Sequence, residues 1–421
     1  MSAEFEVRRR IDERGKITFA EFMDIALYWP DGGYYTGQEP VGAQGDFYTS
    51  PAVHPSFGAL LGVQLFQIWK YLGQPSPFSV LELGAGNGLL CRDIISYASG
   101  LSEEFMASLR YICLERRTVC QIEFGTPVTS RVMAEGLPFK NLVGCVVSNE
   151  YLDAFPVHQL VMAGDVLKEV YVGLEGQNLV EITGELSDPG LVNRLNGLGL
   201  ELAPWQTAEI NLNLGNLAKD IAATLNHGFV LTIDYGRTAP DLYDAEQRHA
   251  GTLVTYHQHV QTDSPLELIG RQDITAQVDF TSVAQAGETA GLNTLGLVTQ
   301  RQFLTNLNIS SLQKRLKEHA MTPRQIQANR AGLTDLVRPG GLGDFKILIQ
   351  SKNVGRPVLW GLKASPQAAD LVDNLPVPLL TNNHISLPDG LFTESNTGFE
   401  ASGHSRTKNH RKQPERHRLA N

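Results

Sequence analysis

Two carboxylates follow an apolar run at a spacing that suits the binding of a cation. The run ends at Ser148, then come Asn149, Glu150 and Asp153, and Pro156 keeps the turn from becoming a long helix. Glu150 and Asp153 are three residues apart, so one helical turn would place them on the same side. If the cation is a guanidinium, two carboxylates can hold it by charge-assisted hydrogen bonds and leave one nitrogen to react. The alternative is that Asp153 satisfies local backbone groups while Glu150 is solvated.

A glycine-rich turn earlier in the chain predicts a cofactor site. In "VLELGAGNGLL", Glu82 ends an apolar run, and Gly84, Gly86 and Gly88 occupy the turn that opens a helix. Residues without a Cβ allow a tight turn and a close approach of the backbone to a ligand. A dinucleotide fingerprint reads G-x-G-x-x-G, whereas this turn reads G-x-G-x-G with an acid two residues before it. That carboxylate is unfavourable beside a pyrophosphate and favourable beside the sulfonium or ammonium of S-adenosylmethionine.

The next predicted strand also ends in an acid, Glu115 of "YICLERR". A carboxylate there can accept both ribose hydroxyls of an adenosine, which suits S-adenosylmethionine and NAD alike. One alternative is a turn that uses glycine for geometry alone. Another is a nicotinamide-dependent oxidoreductase, which the glycine spacing disfavours. The order of strand, glycine turn, helix, strand and acid predicts S-adenosylmethionine as the cofactor.

Alternating short strands and helices must position these residues. The segments "FSVLELG", "LRYICLE", "GCVVSNE" and "GFVLTIDYG" are predicted parallel strands that are apolar on both faces. Helices are predicted from Asn87 to about Ala98 and from Thr207 to His227. The alternation is typical of a doubly wound α/β domain, in which ligands bind at the carboxyl ends of the strands.

The chain divides into three predicted parts. Residues 1–75 form an N-terminal helical region with a long glycine-rich loop, and residues 76–353 form the α/β core. The core carries insertions at about 160–200 and 236–274. Residues 354–421 form a C-terminal extension, which is predicted to be disordered from about residue 394 because Lys and Arg replace apolar residues there.

Three local signals mark elements within these parts. Thr18 is a predicted helix N-cap, with Glu21 completing a capping box. The segment "VLKEVYVGLEGQNLVEI" is predicted as a hairpin in the first insertion, and "GDFKILIQSK" as the last strand of the core.

The composition is that of a globular protein, with 421 residues, 42% of them hydrophobic and 19% charged. Its formal net charge of -10 argues against general nucleic-acid binding. The cysteines at 91, 113, 120 and 145 show no C-x-x-C pair and no zinc-like spacing, which favours a reducing compartment. We find neither a bilayer-spanning apolar run nor a signal peptide, so the sequence predicts a cytoplasmic protein without a membrane span.

From about Ile11 to Lys352 the sequence resembles the MidA-like family of class I S-adenosylmethionine-dependent methyltransferases. The resemblance rests on several segments in the family's order, including "ITFAEFMDIALYWPDGGYY", "GDFYTSPAVHPSFG", "VLELGAGNGLL", "SNEYLDAFPVHQ", "GTLVTYHQH" and "GLGDFKILIQ". It implies a Rossmann-like core with an N-terminal helical region and inserted substrate-side elements. It also implies methylation of a protein arginine, the activity described for the family's mitochondrial member, whose substrate is an NADH–quinone oxidoreductase subunit.

The resemblance also implies roles by position. It implies a cofactor site lined by the turn glycines, with Glu115 on the ribose, and an active-site turn made of Asn149, Glu150 and Asp153. Asp46 and Thr49 of "GDFYTSP" would cover the cofactor. After Pro51 the family usually reads Glu-Ile-Ser, whereas this chain has Ala-Val-His, so a family carboxylate is missing on that side.

Other candidates have two readings each. His158 is a candidate proton acceptor, or a packed residue under the acidic turn. Asp234 either reaches the acceptor or anchors the insertion that follows it. His257 and His259 have metal-like spacing without a third ligand, so we predict no metal. Trp29, Tyr34 and Tyr35 either wall an acceptor pocket or belong to the core.

The sequence as a whole predicts a methyltransferase that acts on an arginine side chain of a partner protein. The second hypothesis is a non-catalytic assembly factor that retains the fold and keeps the cofactor as a structural ligand.

Overall fold

The computed structural model describes residues 1–37, 49–116, 129–134, 136–258 and 260–384. The described strands are β1 (Lys16–Thr18), β2 (Phe78–Leu83), β3 (Leu109–Glu115), β4 (Thr129–Met133), β5 (Leu142–Asn149), β6 (His158–Ala163), β7 (Val166–Glu175), β8 (Asn178–Gly184), β9 (Thr207–Ile210), β10 (Leu225–Asp234), β11 (Gly236–Arg237), β12 (Val254–His257), β13 (Val260–Thr262), β14 (Asp273–Thr275), β15 (Val278–Asp279), β16 (Asn293–Thr299) and β17 (Lys346–Lys352). The described α-helices are α1 (Ala3–Arg14), α2 (Phe19–Tyr28), α3 (Tyr34–Gly37), α4 (Ser50–Val53), α5 (Ser56–Tyr71), α6 (Leu89–Leu101), α7 (Glu103–Ser108), α8 (Gly190–Leu198), α9 (Leu214–Thr224), α10 (Ala239–Leu242), α11 (Phe280–Thr289), α12 (Gln300–Asn306), α13 (Ile309–Arg315), α14 (Pro323–Asp335) and α15 (Pro366–Asn374).

The central sheet has the strand order β16-β17-β10-β5-β2-β3-β4. Strands β10, β5, β2, β3 and β4 run parallel, whereas β17 lies antiparallel between β10 and β16. The four predicted parallel strands are confirmed, and the predicted last strand is the reversed strand β17. Every residue of β2 is buried, which explains its continuous apolar run.

The chain changes direction across this sheet at β2. From β2 it moves outward to β3 and β4, and it later returns to β5 and β10 on the opposite side of β2. Such a reversal opens a crevice outside the carboxyl ends of the two strands that flank it, here β2 and β5. The glycine turn follows β2 and the acidic turn follows β5, so the topology brings the two predicted sites to one crevice.

A second sheet joins the N-terminal region to the insertion between β5 and β10. The predicted hairpin is confirmed as β7 and β8, and β6 and β9 extend the same sheet. Strand β1 pairs with β7, so the N-terminal region contributes a strand as well as helices. The predicted N-cap also forms, since Thr18 Oγ1 accepts from the backbone N–H of Glu21. The Glu21 carboxylate pairs with Arg10 and Arg14 of α1 instead of completing a capping box.

The predicted helix from Thr207 to His227 is wrong at both ends. Its first residues form β9, which pairs with β6, and its last residues belong to β10. Only the middle is helical, as α9. The first residues form a strand instead of a helix because Thr207–Ile210 pairs with β6 in the inserted sheet. Local propensity does not reveal a long-range pairing of this kind.

Several expectations concern residues beyond the described ranges. Asp46, Cys120, His259 and the tail from residue 394 lie outside the residues that the structure describes. The division at 75 and 353 stays a prediction. Among the described helices, we find none with the length and apolar character needed to cross a membrane.

Candidate active site

A cavity of about 580 Å³ lies at the carboxyl ends of β2, β3 and β5. Its volume is typical of sites for small molecules and cofactors. One part of its wall is the glycine turn with Glu115, and another is formed by Asn149 and Glu150 of the acidic turn. Thr49, the residue before α4, also lines the cavity.

The glycine turn combines backbone that favours glycine with two different steric demands. Gly84, Gly86 and Gly88 have φ values of 65°, 52° and 74°, in the left-handed region. A Cβ on Gly84 would meet the Tyr151 ring at 2.6 Å, whereas a Cβ on Gly86 would meet nothing within 4 Å. Because Gly86 lines the cavity, a side chain there would enter the ligand space. The N–H of Gly86 donates to the Glu115 carboxylate. Gly88 lies two residues further on, at the N-cap of α6, and is outside the set of lining residues in the described chain.

Glu82 is a buried acid in the wall of the same cavity. Its side chain is 3% exposed and accepts a hydrogen bond of 2.8 Å from the Tyr111 hydroxyl. Burial, together with the nearby charge of Glu115, raises the pKa of Glu82 to about 8. A cationic ligand would favour the ionised carboxylate. Glu82 therefore fits the sulfonium or ammonium of S-adenosylmethionine better than a pyrophosphate.

The acidic turn holds polar atoms that are ready to receive donors. Glu150 has a φ of 49°, a strained value for a residue with a Cβ. Its Oε1 accepts from Asn149 Nδ2 at 3.1 Å and from the Ser50 N–H at 3.3 Å. Burial and the charge of Asp153 raise the pKa of Glu150 to about 8. Asn149 Oδ1 and Asp153 Oδ1 are buried without a hydrogen-bond partner within the described part of the chain.

Asp153 lies beside the cavity wall instead of in it. Its neighbours Tyr151 and Ala154 line the cavity, whereas Asp153 is outside the set of lining residues in the described chain. Its Oδ2 accepts from Thr275 Oγ1 at 3.1 Å, and burial raises its pKa. Asp153 therefore supplies negative charge next to Glu150 without forming the surface itself.

Asp234 anchors the acidic turn. Its Oδ2 accepts from the N–H groups of Tyr151 and Leu152 at 3.1 and 2.9 Å, and its Oδ1 accepts from the N–H of Tyr235 at 2.9 Å. The side chain is only 1% exposed, so these backbone groups have little access to water. Of the two readings of Asp234, the geometry favours an anchoring role. The segment that Asp234 anchors is the acidic turn, not the insertion that follows it.

Replacing Asp234 with Ala should lower stability and turnover together. The change leaves buried N–H groups of the turn without an acceptor, which costs about 2 kcal/mol in the free energy of unfolding. Urea unfolding monitored by circular dichroism measures this loss. The matched control is Asp165→Ala in the exposed turn between β6 and β7, which should leave the unfolding midpoint unchanged. An unchanged midpoint in Asp234→Ala would contradict the anchoring role.

The structure does not bring His158 to the site. His158 begins β6, which leads the chain away into the second sheet, and its Nδ1 lies 2.7 Å from the Glu169 carboxylate. That carboxylate also accepts from the N–H and hydroxyl of Ser187. The prediction of His158 as a proton acceptor is therefore corrected, since it is absent from the described cavity lining and has a structural partner.

The segment that departs from the family also has a structural role. Ala52, at the position where the MidA-like resemblance implies a carboxylate, lines the cavity. His54 is fully buried, and its Nε2 lies 3.1 Å from Asn329 Oδ1. Burial lowers the pKa of His54 to about 3, so the imidazole is neutral.

Several lining residues were missed at the level of sequence. Tyr35 lines the cavity as one reading of the aromatic residues proposed, whereas Trp29 and Tyr34 are not among the lining residues that the structure describes. The missed residues are polar or aromatic and come from α2, the end of β3 and the face of α9, namely Tyr28, Arg116, Asn213, Asn216 and Asp220. Tyr28 stands beside Trp29 in the sequence, so the same aromatic signal could have found it.

The fold and the site together define a class I S-adenosylmethionine-dependent methyltransferase. The parallel core with one reversed strand places a glycine turn and two acids at a single crevice. The chain also matches the model of a family described as "Putative S-adenosyl-L-methionine-dependent methyltransferase" over residues 60–298, more than half of its length. The chain belongs to this family, and S-adenosylmethionine is its cofactor.

Named relatives and a solved structure agree with this assignment. The chain is 28% identical over 379 residues to "Protein arginine methyltransferase NDUFAF7 homolog, mitochondrial" of Drosophila melanogaster, covering 82% of this chain and 83% of that protein. It is 27% identical to the Rattus norvegicus protein arginine methyltransferase NDUFAF7, mitochondrial, covering 80% of each. A Burkholderia thailandensis protein described as a "likely methyl transferase", solved with S-adenosyl-homocysteine, superposes with a TM-score of 0.75 at 25% identity, covering 85% of this chain and 94% of that one.

These names correct one expectation. The sequence predicted a cytoplasmic protein, whereas the Drosophila and rat relatives are both named as mitochondrial. The cytoplasmic prediction is therefore wrong. It rested on the lack of a recognisable targeting segment, which is weak evidence about location.

Proposed function

We propose that the protein methylates an arginine side chain of a partner protein. One observation carries the proposal: Asn149 and Glu150 line the cavity side by side, Asn149 Oδ1 has no hydrogen-bond partner among the described residues, and the charge of Asp153 lies beside Glu150. A guanidinium offers five N–H donors in one plane, so it can satisfy a carboxylate and an amide oxygen together. The names of the relatives support the same acceptor.

The residues of the chain divide the work between two halves of the cavity. When bound, S-adenosylmethionine supplies an electrophilic methyl group on its sulfonium. Gly84 and Gly86 allow the cofactor to lie close to the main chain of the turn. Glu82 favours the positive charge of the cofactor, and Glu115 binds its ribose. Gly88 shapes the turn, and Thr49 covers the site.

The acidic turn holds the acceptor and receives a proton. Glu150 and Asn149 accept N–H groups of the guanidinium and keep one terminal nitrogen in place for reaction. Asp153 stabilises the bound cation by its charge. Transfer would replace the methyl–sulfur bond by a methyl–nitrogen bond and leave a neutral thioether, and the nitrogen that gains the methyl would lose one proton to the Glu150 carboxylate.

The proposed partner is a respiratory-chain protein. Resemblance to the MidA-like family favours a subunit of a respiratory NADH–quinone oxidoreductase. The names of the relatives support a protein substrate without identifying the subunit.

Methyl-arginine mapping tests both the activity and the partner. Proteins captured with the tagged enzyme from cells should include a subunit with methylated arginine, and mass spectrometry should find that mark missing in a deletion strain. Return of the wild-type gene should restore it, and a Glu150→Gln gene should not. A mark that persists in the deletion strain would instead favour the non-catalytic assembly factor.

A further inference from the structure

A stack of tyrosines forms part of the cavity wall. Tyr28, at the end of α2, and Tyr35, in α3, both line the cavity. Their ring centroids lie 5.6 Å apart with an angle of 19° between the planes. Tyr34 meets Tyr35 edge-on, with centroids 5.0 Å apart. The stack holds the Tyr28 ring in one orientation within the cavity.

Tyr28 is also tied to the acidic turn. Its hydroxyl donates a hydrogen bond of 2.9 Å to the backbone carbonyl of Ala154, the residue after Asp153. The same cavity contains Glu150 and the backbone of Ala154. The ring of Tyr28 is therefore held at a fixed position relative to the carboxyl groups proposed to bind the acceptor.

A guanidinium already lies over this ring. The Cζ atom of Arg116 is 5.0 Å from the centroid of Tyr28, within the range of a cation–π contact. Arg116 lines the cavity, is solvent-exposed, and directly follows Glu115 on the cofactor side. The Tyr28 ring thus accepts the same chemical group that the acceptor arginine would bring.

We propose that the ring of Tyr28 positions the acceptor guanidinium, and that Arg116 is an internal competitor which the acceptor displaces. This inference rests on the proposed function, because it assumes an arginine acceptor. A planar guanidinium stacks on an aromatic face more readily than a compact ammonium does, so the ring also favours arginine over lysine. Tyr28 is then a positioning and specificity residue on the acceptor side.

Steady-state kinetics with an arginine-containing peptide of the captured partner tests the proposal. Tyr28→Leu should raise KM for the peptide by roughly 3- to 30-fold, the range of a cation–π contact. Tyr28→Phe keeps the ring but loses the bond to Ala154, so it should keep KM within about twofold while lowering kcat. Arg116→Ala should lower KM by roughly two- to fivefold. Calorimetry should find the S-adenosylmethionine affinity of all three variants close to that of the wild type.

Trp29→Leu is the matched control. Trp29 neighbours Tyr28 in the sequence, and the guanidinium of Arg10 lies over its ring, with Cζ 5.6 Å from the centroid. Trp29 nevertheless lies outside the described cavity lining. Its replacement should leave KM unchanged.

Three results would overturn the proposal. Equal losses in Tyr28→Leu and Tyr28→Phe would reduce Tyr28 to a hydroxyl anchor for the turn. A raised KM in Arg116→Ala would make Arg116 a substrate-binding group, and weakened cofactor binding would assign it to the cofactor. Failure of the proposed function differs from all of these, because the wild-type enzyme itself would then form no methyl-arginine.

Discussion

Gly86→Val is expected to abolish S-adenosylmethionine binding. Gly86 has a φ of 52°, and the Cβ of a valine would point into the part of the cavity where no atom lies within 4 Å. A branched side chain there fills ligand space and also strains the turn, since left-handed backbone costs roughly 1–2 kcal/mol for residues with a Cβ. We expect calorimetry to show an affinity reduced by more than about 100-fold, or about 2.7 kcal/mol.

Gly176→Val separates the loss of ligand space from the strain. Gly176 lies between β7 and β8 with a φ of 62°, and a Cβ there would also meet nothing within 4 Å. The two positions share the backbone problem, but only Gly86 lines the cavity. We expect Gly176→Val to lose some stability and to bind the cofactor normally. Undiminished affinity in Gly86→Val would remove the glycine turn from the cofactor site.

Local sequence patterns identified five of the seven strands of the central sheet and missed β4 and β16. Each of the four predicted parallel strands is a short apolar run that ends in a polar or glycine turn, whereas β4 has the mixed sequence TSRVM. Local patterns failed for β9, which pairs with β6 so that Ile210 lies opposite His158. The break between β9 and α9 has a local cause, since Asn211 Oδ1 accepts from the N–H of Asn213. An asparagine pair of this kind is a turn signal that an apolar period conceals.

The two halves of the candidate site differ in how far sequence could predict them. In the cofactor half, Gly84 and Gly86 belong to one strand, turn and helix that follow each other in the chain, and Glu115 ends the next strand of the core, so local patterns could predict all three residues. The acceptor half depends on contacts across the fold: Tyr28 and Ala154 are 126 residues apart and meet because α2 packs against the insertion. The prediction for His158 was wrong because closeness in sequence did not mean closeness in the fold. His158 is close to Asp153 in sequence, but β6 carries it into another sheet.

Glu150→Gln is expected to lower methyl transfer by roughly 10²- to 10³-fold, as expected for removal of a charged group that acts on the transition state. The amide keeps the size of the side chain but loses its charge and its capacity to take a proton. Cofactor affinity should stay within a few-fold of the wild type, because Gly86 and Glu115 form the cofactor side. Radiolabel transfer to the partner peptide measures the first quantity, and calorimetry the second.

Glu209→Gln is the control for burial of a carboxyl group. Glu209 is 7% exposed, burial raises its pKa, and it accepts from Thr252 outside the main cavity. Its replacement is expected to change stability and to leave the rate of transfer intact. Equal loss of transfer in both variants would mean that buried carboxyl groups act through folding alone.

The pH dependence of transfer gives Glu150 a signature that a packing role would not produce. Burial raises the pKa of Glu150 to about 8, so below that pH the carboxyl is mostly protonated and accepts poorly from a guanidinium. The guanidinium keeps its charge throughout this range, so only the enzyme titrates. At saturating S-adenosylmethionine, whose positive charge favours the ionised form of Glu82, we therefore expect kcat/KM for the acceptor to rise from about pH 6, to reach half its maximum near pH 8 and to level off above about pH 9. The residual activity of Glu150→Gln should lack this rise, whereas Glu209→Gln should keep it. A wild-type profile that is flat over the same interval would mean that Glu150 is not the group that binds the acceptor.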